Sequence, residues 1–227
     1  MVPRSADELR EMRSLAHTPH IRMALATAPE QNRPMEPVTL ATSRLLMRTV
    51  GPKDTDTVYE AVQDPDIQRW TTIPSPYLYE HAQSFAEQLV PEGWANGSMF
   101  TWGLFLPVGE HLVGMLGLTM RSMSEAEIGF WGTKEHRGNG YITEAVLAAS
   151  RWAFVDLSLD RVEWRAEVGN MPSRAVAERA GFALEGTLRS AMVNQGVRRD
   201  CWVGSLLPSD LSLPSTAPYL PARNQPA

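Results

Sequence analysis

The most regular pattern of apolar and polar positions lies in the second half of the chain. Residues 161–168 carry an apolar side chain at every second position, which predicts a strand with one buried face. Residues 140–156 instead repeat apolar side chains every three or four positions, which predicts a helix packed on a core. A period that changes between two and about 3.6 residues indicates alternating strands and helices.

Alternating strand and helix patterns extend from about residue 38 to residue 211. In chain order the predicted elements follow the pattern β-α-α-β-β-β-α-β-α-β-β. The predicted strands are 43–50, 100–106, 112–120, 125–131, 161–168, 182–192 and 199–207, and the predicted helices are 54–62, one within 75–90, 140–156 and 173–180. This order favours an α/β architecture in which helices flank a mixed central sheet.

Proline-rich segments lie at both ends of the 227-residue chain. Residues 1–37 contain five prolines, and residues 212–227 contain four. We expect the first segment to be an N-terminal extension, flexible apart from a short helix near 5–17, and the second to be a Pro-rich tail. A single domain is expected between them, over residues 38–211.

Charge and cysteine content narrow the classes of function. The formal net charge of −5 argues against a nucleic-acid binder held by general electrostatics. A single cysteine cannot form an internal disulfide, which is typical of a cytoplasmic protein. No apolar run approaches the roughly 18 residues of a membrane span, and no cluster of metal-ligating residues is visible. We therefore expect neither a nucleic-acid nor a membrane partner, and no metal.

The first chemical motif is the loop at residues 134–144, between a predicted strand and the long predicted helix. Gly138 and Gly140 allow the backbone to come close to a bulky anion, and the following helix start offers unpaired N–H groups. Arg137 adds a charge suited to phosphate. An ordinary tight turn between strand and helix explains the same glycines, so this motif alone is weak.

The second motif begins at Asn170, at the end of a predicted strand. Asn170 can cap the helix that follows, which is a structural alternative to any role in binding. Gly181 and Phe182 then lead from this helix into the next strand.

Together these motifs resemble the GNAT superfamily of N-acetyltransferases, in the branch of ribosomal-protein N-terminal acetyltransferases and spermidine acetyltransferases. The resemblance covers about residues 39–208. The residues that carry it are Ser43-Arg-Leu-Leu-Met-Arg48, Glu127-Ile-Gly-Phe-Trp131, Arg137-Gly-Asn-Gly-Tyr-Ile-Thr-Glu-Ala145, Asn170-x-x-Ser173, Gly181-Phe-Ala-Leu-Glu-Gly186 and Arg199-Asp200.

The resemblance implies a GNAT fold, in which two central parallel strands splay apart and acetyl-CoA, the acyl donor, enters the gap. By the same resemblance, the side chain of Asn170 contacts the cofactor arm. The backbone residues implied in binding are Phe130, Trp131 and Gly132 for the pantetheine arm, and Arg137, Gly138, Asn139, Gly140, Tyr141 and Ile142 for the pyrophosphate. Glu135 stands where the wider superfamily has Gln or Arg, which matters little if the backbone binds the phosphates.

Transfer of an acetyl group to an amine needs a neutral amine, and a general base or acid typically contributes about 10²–10⁴-fold. Glu127 is the candidate base, with a solvent-facing strand charge as the alternative; Glu185 and Glu167 are weaker candidates. Many family members place a tyrosine acid where this chain has Ala177. Ser173 is the candidate hydrogen-bond donor to the thiolate, unless it only bonds its own helix.

The acceptor is expected opposite the cofactor, beside the first two helices and the last hairpin. Trp70 and Tyr77 are the candidate acceptor-binding residues, with core or lid packing as the alternative. A protein N-terminus and a small amine both fit. Two further alternatives are another donor such as succinyl-CoA, and a silent acyl-CoA-binding module. A homodimer also stays open.

Overall fold

The computed structural model describes residues 35–221. The short helix expected near 5–17 and the last six residues of the tail, 222–227, lie outside the described residues.

The described chain forms one mixed sheet of eight strands in the order β1-β2-β3-β4-β5-β6-β8-β7. Every neighbouring pair is antiparallel except β5 and β6, which run parallel. The strands are β1 (Leu40–Ala41), β2 (Leu46–Arg48), β3 (Met99–Phe105), β4 (Leu112–Met120), β5 (Glu125–Gly132), β6 (Arg161–Glu167), β7 (Ala183–Asn194) and β8 (Val197–Leu206). The predicted mixed sheet is confirmed.

Helices connect these strands in the predicted order, with one addition. The α-helices of the described residues are α1 (Thr55–Val62), α2 (Pro65–Trp70), α3 (Tyr79–Ser84), α4 (Val90–Asn96), α5 (Tyr141–Val155) and α6 (Met171–Arg179). A π-helical turn, Phe85–Leu89, joins α3 directly to α4. Sequence patterning did not predict α2 or the short strand β1, and it ended the second helix at residue 90, where α4 begins. No helix described between residues 35 and 221 is long and apolar enough to cross a membrane.

The two parallel strands separate towards their carboxyl ends. Their pairing begins at Glu125 with Arg161 and ends at Ile128 with Trp164. Beyond that point β5 stays paired with β4 as far as Gly132, and β6 stays paired with β8. The resulting gap is called the wedge below, and it confirms the splayed strands that the resemblance implied.

An aromatic cluster holds α4 and α5 against the sheet. Trp94 of α4, Trp102 of β3 and Trp152 of α5 meet with ring centroids 5.1 to 5.9 Å apart. Trp94 and Trp102 are almost completely buried, and contacts of this kind contribute about 0.5–1.5 kcal/mol beyond their buried area. This packing holds the C-terminal part of α5 against the sheet.

The described part of the Pro-rich tail is held on the domain surface. Asp160 accepts hydrogen bonds from the hydroxyls of Thr216 and Ser215 and from the backbone N–H groups of Thr216 and Ala217. These bonds, that of the Thr216 hydroxyl above all, lower the pKa of Asp160. The tail therefore stays ordered at least as far as this anchor, although the side chains of residues 214–221 are exposed.

Candidate active site

The loop between β5 and α5 presents a group of unused backbone donors. Gly138 and Gly140 adopt positive φ angles of 81° and 78°, which glycine tolerates best. Among the described residues, the N–H groups from Gly138 to Thr143 donate to no backbone carbonyl, and the helical pattern starts with Glu144 donating to Gly140. Because α5 has 15 residues, its N-terminus also carries a substantial positive partial charge. This donor group, the anion cradle, can hold a phosphate.

A cluster around Glu144 ties the anion cradle to the start of the domain. The Glu144 carboxylate accepts hydrogen bonds from the hydroxyls of Thr42 and Ser43 and from the backbone and guanidinium of Arg44. Burial alone would raise the pKa of Glu144, but the bonds from Thr42 and Arg44 outweigh it and lower the pKa. Arg44 also donates to the carbonyl of Asn139 at 2.9 Å.

Arg44 therefore cancels a carboxylate that would otherwise repel an anion at the start of α5. Sequence reasoning did not assign Arg44 to the site. Its membership of the Ser43–Arg48 motif was the available signal, but nothing local connects it with a loop about 95 residues later.

The side chain of Arg137 is directed to other partners. Its Nε donates to the Gly132 carbonyl at 3.1 Å, and its two terminal nitrogens bond Asp66 at 3.0 Å and Asp64 at 2.5 Å. Its backbone N–H donates to Lys134 at 3.4 Å. The free amides of the anion cradle thus begin at Gly138.

The wedge is lined by the residues predicted for the pantetheine arm. Phe130, Trp131 and Gly132 are half-buried and have backbone partners only on β4, so their other edge faces the gap. On the opposite side, Asn170 is buried, and its side-chain oxygen accepts from the Ser173 N–H at 3.2 Å. Asn170 is therefore the cap of α6, as the structural alternative stated. Within residues 35–221 its side-chain nitrogen donates no hydrogen bond, which leaves it for a ligand.

Ser173 has a partner that sequence reasoning did not foresee. The indole N–H of Trp164 donates to Ser173 Oγ at 3.0 Å. Since Oγ accepts this bond, the hydroxyl proton is free to point elsewhere. Ala177, which stands in place of the family tyrosine, is buried beside the same indole.

Glu127 lies on β5 next to the point where the strands separate. It stands opposite Glu163 of β6, one residue pair before the last. Its carboxylate bonds Arg121 at 2.5 Å and lies 3.8 Å from Arg165, and its side chain is 23% exposed. Glu127 is thus ion-paired, and water can still reach it.

An open cavity of about 380 Å³ lies between the segment after α2 and the β7–β8 turn. No charged side chain lines it; the lining residues are Thr72, Ile73, Pro74, Ser75, Val193, Asn194 and Gln195. Asn194 connects this cavity with the end of β6, because its side-chain nitrogen donates to the Arg69 carbonyl and to Glu167.

The two predicted acceptor aromatics lie near this cavity but do not line it. Tyr77 is buried in the core, and this burial raises the pKa of its hydroxyl. Trp70 is half-buried at the end of α2, where the Arg69 guanidinium stacks on its ring. The sequence placed the last hairpin at the acceptor site, but it did not single out Asn194 and Gln195.

Comparison with known proteins agrees with this architecture. A family model described as an acetyltransferase (GNAT) domain matches residues 44–183. The chain therefore belongs to the GNAT family of acetyltransferases.

Individual relatives extend the match over most of the domain. YdaF of Bacillus subtilis (strain 168), which carries the provisional name ribosomal N-acetyltransferase, is 32% identical over 173 residues, covering 72% of this chain and 91% of YdaF. Two solved structures share the fold at 20% identity and a TM-score of 0.67. One is the microcin C7 self-immunity acetyltransferase MccE with acetyl-CoA and AMP, covering 73% of this chain and 93% of MccE. The other is the ribosomal L7/L12 α-N-protein acetyltransferase RimL with coenzyme A, covering 76% and 98%.

Proposed function

We propose that this protein transfers an acetyl group from acetyl-CoA to the α-amino group of a protein N-terminus. The observation that carries the proposal is the wedge, because its mouth is flanked by the anion cradle and by the end of β6 that adjoins the open cavity. The diphosphate of acetyl-CoA suits the anion cradle, and its thioester can reach the end of β6 through the wedge. The bound acetyl-CoA and coenzyme A of the two structural neighbours support this donor.

The proposed reaction is a direct attack within a ternary complex. The amine nitrogen forms a bond to the thioester carbonyl carbon, and the carbon–sulfur bond breaks. Glu127 takes the proton of the amine through a water molecule, and the Ser173 hydroxyl donates a hydrogen bond to the departing thiolate. A backbone N–H at the free edge of β5 polarises the thioester carbonyl.

The character of the cavity favours a peptide over a polyamine. A polyamine or aminoglycoside carries several positive charges, which carboxylates in the binding site would normally balance. The cavity offers amide and hydroxyl groups instead, which match the hydrogen bonds of a peptide backbone. Its exposed walls also leave room for a chain that continues beyond the first residues. The name of YdaF supports the same acceptor class.

A cytoplasmic location belongs to this proposal, since the acceptor would be a newly made protein and Cys201 is unpaired and buried. The chemistry works in a monomer and in a homodimer alike.

Thiol release from acetyl-CoA tests the proposal across a panel of peptides, polyamines and aminoglycosides. We expect peptides with a free N-terminus to give kcat/KM values at least about tenfold above spermidine, because one unbalanced charge in the site costs about 1.4 kcal/mol or more. The same peptides with an acetylated N-terminus are the matched control and give no release. A preference for polyamines would contradict the acceptor class. Tight acetyl-CoA binding without turnover on any acceptor would favour the silent binding module, and faster turnover with succinyl-CoA would contradict the donor.

Removing the Ser173 hydroxyl tests its proposed role at the thiolate. In Ser173→Ala we expect kcat to fall about tenfold with unchanged acetyl-CoA affinity, since a hydrogen bond to a charged group is worth about 1.5–3 kcal/mol. Ser173→Thr keeps the hydroxyl and serves as the control. Steady-state rates and calorimetry with acetyl-CoA measure the two quantities. An undiminished kcat in Ser173→Ala would leave Ser173 as only the partner of Trp164.

A further inference from the structure

We propose that Arg137 positions the acceptor cavity rather than binding the phosphates of the donor. The inference rests on the proposed function, because it concerns the link between the two substrates of that reaction. The starting observation is that all three guanidinium nitrogens of Arg137 bond to protein atoms, namely the Gly132 carbonyl, Asp66 and Asp64.

The two aspartates make it costly for Arg137 to turn towards a phosphate. The Asp64 side chain is only 12% exposed and also caps α2 by accepting from the Asp66 N–H at 2.9 Å. If Arg137 left, this carboxylate would stay partly buried without its charge partner. Both carboxylates would then also lie uncompensated beside an incoming diphosphate. The free amides of residues 138–143 can supply the phosphate contacts without Arg137.

The other end of α2 is fixed to the opposite side of the wedge. Arg69 makes a two-pronged ion pair with Glu167 at the end of β6, at 2.9 and 2.7 Å. The carbonyls of Gln68 and Arg69 accept from Gln195 and Asn194 in the β7–β8 turn. Helix α2 is therefore a bridge between two parts of the site. Its first turn contacts Arg137, in the loop between β5 and α5, and its last turn contacts the β7–β8 turn beside the cavity.

The position of one wall of the cavity depends on α2. Residues 72–75 leave the end of α2 and face Asn194 and Gln195 across the cavity. A change at Arg137 would shift α2 and with it this wall. The side chain of Arg137, in the loop between β5 and α5, would thus set the geometry of the acceptor site.

The experiment compares Arg137→Ala, Asp66→Asn and the double variant in calorimetry with acetyl-CoA and in steady-state kinetics with the best peptide of the panel. Asp66 is suitable because its side chain is 67% exposed, so the protein tolerates its replacement. We expect both single variants to raise the peptide KM, Arg137→Ala by about fivefold, as loss of an exposed ion pair allows, while the acetyl-CoA Kd changes less than about twofold. The double variant should equal Arg137→Ala, because the two residues act through one contact. Arg151→Ala, an exposed arginine on α5, is the matched control.

Two outcomes of the binding and kinetic measurements would overturn the proposal. One is a tenfold or greater rise of the acetyl-CoA Kd in Arg137→Ala with an unchanged peptide KM, which would assign Arg137 to the phosphates. The other is additive effects in the double variant. Amide hydrogen exchange provides a readout without any ligand: we expect faster exchange in residues 65–75 of Arg137→Ala, and unchanged exchange would also overturn the bridge. If wild-type protein failed to bind acetyl-CoA, the proposed function would be wrong. The exchange measurement would still test whether Arg137 holds α2 in place, because it needs no ligand.

Discussion

Replacing Gly140 by valine is expected to weaken acetyl-CoA binding by about 100-fold or more. Gly140 has a φ of 78°, and a residue with a side chain pays about 1–2 kcal/mol for that conformation. The backbone would relax away from it and carry the N–H groups of the anion cradle out of position. Two lost hydrogen bonds to a charged group, at about 1.5–3 kcal/mol each, account for the expected change. Calorimetry with acetyl-CoA measures it.

Gly196→Val is the matched control for this result. Gly196 lies in the β7–β8 turn with a φ of 75° and open space around it, so the backbone strain is comparable. We expect a similar fall in melting temperature in both variants, with wild-type acetyl-CoA affinity in Gly196→Val. Equal affinity for acetyl-CoA in the two variants would mean that the loop amides do not hold the donor.

Replacing Glu127 by glutamine is expected to lower kcat about 100-fold, at the lower end of the range for a general base. Glutamine keeps the shape of the side chain and can still bond Arg121, but it cannot accept the proton of the amine. Acetyl-CoA affinity should change little.

Glu125→Gln tests whether loss of another carboxylate on the same face of β5 lowers kcat as much as loss of Glu127. Glu125 lies two residues earlier on β5 and pairs with Arg161, where the parallel strands are still joined. Its variant should keep kcat within about threefold of wild type, because this partly exposed ion pair lies outside the wedge. A kcat in Glu127→Gln equal to that of wild type would contradict the assignment of the base.

Periodicity predicted the order of strands β2 to β8 and of the long helices, because most of these elements have an apolar face that repeats along the sequence. The anion cradle was located by Gly138 and Gly140, because these glycines mark a local backbone geometry that the sequence shows directly. Helix α2 escaped because its six residues are too short for a periodic pattern. The local signal was nevertheless there, as Asp64 caps the helix and Pro65 occupies its first turn.

The partners of the charged side chains could not be predicted from local sequence. Arg137 pairs with residues more than 70 positions earlier, and Arg69 pairs with Glu167, 98 positions later. The resemblance implied which loop contacts the donor, but it did not contain these pairings. The sequence placed the last hairpin at the acceptor site, and the fold brings the β7–β8 turn to the cavity, while the ring of Tyr77 is buried, as the alternative of core packing stated.

The contacts of Glu144 also have a consequence for the order in which the protein folds. Thr42, Ser43 and Arg44 meet their carboxylate partner only after about 100 intervening residues have been synthesised. Contacts between such distant residues form slowly and late in folding. The first strands leave the ribosome long before the donor loop exists, so a nascent or truncated chain that ends before α5 cannot yet engage the donor. The protein therefore acquires its substrate-binding competence at a late stage of its own synthesis.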